Sequence, residues 1–114
     1  MKVYGIKNCN TMKKTFGFLE AEGIKYEFID YKKQAPTQEL IEGFADLTSF
    51  ENLINKKGTT YRKLSDSDKE LLNTKASALQ VLTQNSSMIK RPIIDNGKGK
   101  LVLGFEPEEI QSLK

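Results

Sequence analysis

The chain has no histidine and a single cysteine, Cys9. Without an imidazole, the Cys/His pairing that activates hydrolase nucleophiles is excluded, so any reactivity of the thiol must draw on backbone dipoles, lysine or arginine. Without a second thiol, no disulfide can close within the chain, which agrees with a reducing compartment. No apolar run approaches the roughly 20 residues needed to span a bilayer. The N-terminus opens directly on a strand pattern with no signal peptide ahead of it, so a cytoplasmic protein with no membrane attachment is expected. Arginine is equally scarce: of 18 cationic residues, only Arg62 and Arg91 are arginines. The net charge of +3 is small, the lysines are scattered, and no basic patch is interleaved with aromatics. Direct nucleic-acid binding is therefore not expected. Neither a metal site nor a bound cofactor is expected.

What is present reads as one α/β domain over residues 1–114, a length that suits a single core. Residues 2–6 form a first strand. Met12, Phe16 and Leu19 then recur at helical spacing, widened by Phe18 and Ala21, and Gly23 stands where a helix-terminating glycine belongs. Ile24 to Asp30 alternates as a second strand, parallel to the first because the intervening helix makes the crossover. A polar connector leads to Pro36. Thr37 caps a helix carrying Leu40, Ile41 and Phe44, and Phe50, Leu53 and Ile54 suggest a short second one. Gly58-Thr59-Thr60-Tyr61-Arg62 is expected to be an ordered loop, since glycine and β-branched residues resist helical geometry. Ser65 to Asp68 resembles a capping box ahead of Leu71 and Leu72, and Ala76, Leu79 and Leu82 continue a helix to about Thr83. Pro92 to Asp95 and Leu101 to Gly104 flank a glycine-rich hairpin connection. A last helix, from Pro107 to Leu113, carries Ile110 and Leu113 on one face.

Cys9 falls between the first strand and the first helix. A lone cysteine is ordinarily a small buried hydrophobe, but this position argues for more. Helix-start N–H groups stabilise a thiolate, lysines 7, 13 and 14 are expected to add cationic field, and open α/β sheets place ligands at the carboxyl ends of their strands. Arg91 and Arg62 stand out because a planar, permanently charged donor suits carboxylates and oxyanions in a chain that otherwise uses lysine.

The order β-α-β, helical block, β-β-α is the thioredoxin pattern: a mixed four-stranded sheet, here with residues 37–84 as an inserted helical lobe. Four blocks resemble the arsenate reductase-like and Spx-like family: Tyr4-Gly5-Ile6-Lys7-Asn8-Cys9-Asn10-Thr11-Met12-Lys13-Lys14, Gly58-Thr59-Thr60-Tyr61-Arg62-Lys63-Leu64, Ser87-Met88-Ile89-Lys90-Arg91-Pro92-Ile93 and Val102-Leu103-Gly104-Phe105. They are most similar to its branch of small glutathione-dependent thiol reductases. The resemblance implies a catalytic Cys9, Arg91 and Arg62 converging on it, and a cis Arg91–Pro92 bond whose backbone meets the substrate. Asn10, Thr11 and Lys13, beside the thiol, complete the expected substrate- and anion-binding set with Arg91, Arg62 and Pro92. Met12 occupies the position of a resolving cysteine and is read as core. The second thiol must then come from outside, from glutathione as co-substrate or from a protein thiol, and the protein is expected to be a monomer. The family's arsenate reductases carry a third arginine near the C-terminus, where this chain has Phe105-Glu106-Pro107, so arsenate is disfavoured. Two alternatives stand beside the thiol-reductase reading: an Spx-like regulator binding the RNA polymerase α subunit, and an arsenate reductase coupled to glutathione and glutaredoxin.

Overall fold

β1 (Lys2–Gly5) lies inside a four-stranded sheet of order β2-β1-β3-β4. β2 (Glu27–Asp30) runs parallel to it, with Val3 opposite Phe28 and Gly5 opposite Asp30. β3 (Ile93–Asp95) is antiparallel on the other side, with Val3 opposite Ile94, and β4 (Leu101–Leu103) pairs antiparallel with β3, with Ile94 opposite Val102. The computed structural model describes residues 1–7 and 9–113. The chain divides into two compact units, one of residues 1–34 and 91–114 that contains the sheet, the other of residues 35–90. The helices from α2 to α5, Gln38 to Gln84, lie within this second unit.

Because strand side chains alternate, Val3, Ile94 and Val102 line one face of the sheet. α1 (Asn10–Ala21) and α6 (Pro107–Gln111) cover it with Met12, Leu19 and Ile110, joined by Leu113. Burial of a side chain such as Leu19 or Met12 is worth about 1.5–3 kcal/mol, so this cluster holds α1 on the sheet. Its rim is aromatic, with Phe16 edge-on to Phe28 at 4.9 Å and Phe18 edge-on to Phe105 at 5.9 Å between ring centroids. α1 ends as the sequence predicts. Gly23 takes φ +68°, its N–H donates to Glu20 O at 3.1 Å, and the Ile24 N–H donates to Leu19 O at 2.9 Å, the paired closure of a Schellman motif.

The second unit is helical. In α2 (Gln38–Leu47), the Thr37 hydroxyl accepts from the Leu40 N–H at 3.1 Å, as expected of a cap, and Ile41 and Phe44 are buried. α4 (Asp66–Glu70) is capped by Ser65, which accepts from the Asp68 N–H at 3.2 Å. A 3₁₀ turn at Leu71–Asn73 leads into α5 (Lys75–Gln84), which packs against α2. Asn55 N–H to Met88 O (2.7 Å) and Lys90 N–H to Leu53 O (2.8 Å) tie the ends of this unit together around an Ile54–Ile89 bridge.

Several expectations need correction. Gly58-Thr59-Thr60-Tyr61-Arg62 is not a loop: Thr59–Arg62 is a single helical turn, α3, with Gly58 as its extended N-cap. Two backbone bonds close it, from Arg62 N–H to Gly58 O and from Lys63 N–H to Thr59 O. The Thr60 and Ser87 hydroxyls pair at 3.3 Å, and such context outweighs a propensity penalty of tenths of a kcal/mol. β2 starts only at Glu27, where pairing with Lys2 of β1 begins; residues 22–23 make the turn out of α1 and residues 24–26 are unpaired in the sheet. The short helix expected at Phe50 to Ile54 is a 3₁₀ turn, Glu51–Leu53. Ala21 and Ala76 are exposed, while Thr15 and Ala78 take buried positions.

Gly5 allows the closest approach in the sheet unit. A Cβ placed there would lie 2.6 Å from the Met12 sulfur, and Met12 is fully buried, with no solvent into which to swing. Gly5→Ala should therefore cost about 1–3 kcal/mol, the usual range for overpacking. In a Met12→Ala background the same substitution should cost almost nothing, a coupling that denaturant midpoints on the four-protein cycle will show. Equal costs in both backgrounds would contradict the packing described.

Candidate active site around Cys9

β1 ends at Gly5, Lys7 makes an exposed bend, and Cys9 is the N-cap of α1 with extended backbone angles of φ −134° and ψ 133°. Its carbonyl oxygen accepts from the Lys13 N–H at 3.0 Å and so closes the first helical turn. Asn8, which the sequence placed beside the thiol, lies outside the described residues. The buried cluster beneath α1 holds this turn in place, and Cys9 itself packs half-buried against that cluster.

This setting acts on the thiol in opposing ways. Partial burial alone would push its pKa up. Against burial stand the backbone N–H groups of Met12 and Thr11, the guanidinium of Arg91 and the Thr11 hydroxyl, and together they bring the Cys9 pKa below the ordinary thiol value. The Cys9 side chain makes no capping hydrogen bond. The amides gain an acceptor there when the proton leaves, which favours the thiolate. The thiol is thus activated without a base.

The expected residues fall as follows. Thr11 is half-buried beside the thiol, and its carbonyl accepts from the fully buried Thr15 hydroxyl at 2.8 Å, an internal satisfaction that sequence periodicity did not reveal. Arg91 is half-buried, and the Arg91–Pro92 bond is cis, as the resemblance implied. Pro92 is buried at the entry to β3, and its carbonyl accepts from the Gly104 N–H at 2.8 Å. Asn10 and Lys13 are exposed on the first turn of α1. Arg62 ends α3, exposed, in the other unit. One expectation is corrected: the cationic field on Cys9 comes from Arg91 and not from Lys7, Lys13 or Lys14. The lysine heads are exposed, where water screens them. Near the C-terminus Phe105 packs on Phe18 and Glu106 is exposed as the N-cap of α6.

A feature the sequence reading passed over lies at the same end of the sheet. A cavity of about 420 Å³ is lined by Lys7, Phe28, Asp30, Lys33 and Gln34. Lys33 belongs to a lysine doublet that reads as solvated surface, and its signal was its place just after the carboxyl end of β2.

A thioredoxin-like sheet with one activated cysteine at the first strand-to-helix junction defines a class of thiol proteins. A model of the ArsC family matches residues 4–113. An uncharacterized protein of Haemophilus influenzae is 37% identical over 110 residues, covering 96% of this chain and 95% of its own. Among solved structures, an arsenate reductase (ArsC) related protein from Brucella melitensis is 41% identical with a TM-score of 0.77, over 97% of this chain and 91% of that one. The YffB (PA3664) protein is 32% identical with a TM-score of 0.90, over 98% and 96%. The chain belongs to the ArsC family.

Since Arg91 supplies the nearby positive charge, Arg91→Met should move the pH profile of Cys9 alkylation by iodoacetamide to higher pH and slow it several-fold at neutral pH. Lys14→Met should leave the profile in place. A profile unmoved by Arg91→Met would contradict this account of the thiol.

Proposed function

We propose that the protein is a cytoplasmic, monomeric, glutathione-dependent thiol–disulfide reductase with Cys9 as its only nucleophile. The observation that carries this reading is the lowered pKa of a sole thiol at the N-cap of α1. The coarser part, a thiol-reductase function of the ArsC type, rests on family membership. Dependence on glutathione rests on chemistry: Met12 fills the position one turn on, fully buried, so the electrons for regeneration must come from a thiol in solution.

The reaction runs in two exchanges. The Cys9 thiolate attacks the glutathione sulfur of a protein–glutathione mixed disulfide. A disulfide forms between Cys9 and glutathione, and the substrate thiolate leaves and takes a proton from water. A second glutathione, as thiolate, attacks the same glutathione sulfur, oxidised glutathione leaves, and the Cys9 thiolate returns. The substrate sulfur is reduced and two glutathione sulfurs are joined. Arg91, the Thr11 hydroxyl and the helix-start amides stabilise Cys9 each time it is the anion. Asn10, Lys13 and the backbone at Pro92 serve as substrate-binding groups.

Arsenate is the weaker reading. Glu106 puts an exposed carboxylate where the family's arsenate reductases use a third guanidinium, and like charge opposes an oxyanion.

On exposure to oxidised glutathione, wild-type protein should gain one glutathionyl group by intact mass and lose it to excess glutathione. It should also turn over a glutathionylated peptide catalytically. Cys9→Ser should do neither. A Cys9 that resists glutathionylation, or steady arsenate turnover faster than peptide turnover, would overturn the proposal.

A further inference from the structure

The cavity lined by Lys7, Phe28, Asp30, Lys33 and Gln34 carries charges of both signs, and that combination selects among ligands. β1 and β2 are parallel and end together, Gly5 opposite Asp30. Cys9 follows the first, and Asp30, Lys33 and Gln34 end or follow the second. The cavity therefore opens at the carboxyl ends of two adjacent parallel strands, where α/β sheets bind ligands. Lys7 is both a wall of the cavity and two residues from the thiol. Phe28 joins the cavity to the cluster against which Cys9 packs.

Two ammonium groups alone would suit any anion. Asp30 changes this, because a carboxylate in the wall opposes a simple anion and favours a ligand that also carries a positive charge. Its Oδ1 accepts from the Lys32 N–H at 2.9 Å, which fixes the side chain, and among the described residues no ion pair engages Lys7, Asp30 or Lys33. Glutathione has two dissimilar ends: glycine ends in a carboxylate, whereas the γ-glutamyl end bears an α-carboxylate and an α-ammonium on one carbon.

Resting on the glutathione reading above, we propose that this cavity is the subsite for the γ-glutamyl end of the second glutathione, the one that attacks the Cys9–glutathione disulfide. Lys7 and Lys33 hold the α-carboxylate, Asp30 holds the α-ammonium, Gln34 offers its amide and Phe28 lies along the methylenes. The site thereby recognises a γ-glutamyl thiol and not thiols in general, and the glycine end contributes little.

The test is steady-state turnover of a glutathionylated peptide with three reducing thiols: glutathione, γ-glutamylcysteine, and glutathione acetylated on its α-amino group. With wild type, γ-glutamylcysteine should match glutathione in KM, while acetylation should raise KM about tenfold, the worth of one charged hydrogen bond, with kcat little changed. Asp30→Asn, whose amide oxygen can still accept the Lys32 N–H, should raise KM for glutathione about tenfold and leave the acetylated thiol unaffected, and Lys33→Gln should raise KM for both. The proposal is overturned if wild type turns over but acetylation and Asp30→Asn leave KM unchanged, or if loss of glycine costs more than acetylation. In either case glutathione dependence itself would stand. Absence of turnover by wild type with every thiol would instead remove the underlying reading, and the subsite with it.

Discussion

The seating of the first turn of α1 on β1 is the constraint from which the site follows. Met12 is fully buried under a strand residue that has no Cβ, and Leu19, two turns on, is buried in the same cluster with Val3, Ile94 and Val102. With Met12 held, the residue three positions earlier has little freedom. Cys9 must fall at the helix start, half-buried, with the Thr11 and Met12 N–H groups disposed around its sulfur. The side chain that excludes an internal disulfide is thus also the anchor that positions the nucleophile.

Activation by dipoles and a guanidinium has consequences that activation by histidine would not. An imidazole would make the thiolate depend on a second titration near neutral pH. Arginine stays charged across the biological range, and backbone amides do not titrate, so the thiolate is governed by a single ionisation. Partial burial opposes it, but the same burial keeps Arg91 from being fully screened. The surrounding lysines, exposed to water, contribute little at the sulfur and are better placed to bind or steer an anionic ligand.

Much of this was legible in the residues. The period of α1, the glycine that ends it, the Thr37 and Ser65 caps and the paired strands around the 96–100 hairpin are local signals, and each appears where local physics puts it. Cys9 was legible for the same reason: its position between strand and helix is a matter of neighbours in sequence. What escaped depends on contacts between residues far apart. The α3 turn forms against a β-branched propensity because Thr60 meets Ser87, 27 residues away. Thr15 is buried although polar, because its hydroxyl bonds back to Thr11. The cavity between Lys7 and the residues after β2 exists only once the two strands lie side by side. The weight of Arg91 over the nearer-in-sequence lysines likewise follows from β3 returning to the centre of the sheet.

The central claim is that the surroundings of Cys9 alone lower its pKa and favour the thiolate. As the chain has one thiol, the difference in ultraviolet thiolate absorbance between wild type and Cys9→Ser, followed against pH, measures that ionisation directly. The account predicts a midpoint below the value of about 8.5 of an unperturbed cysteine. A midpoint at or above that value would contradict it.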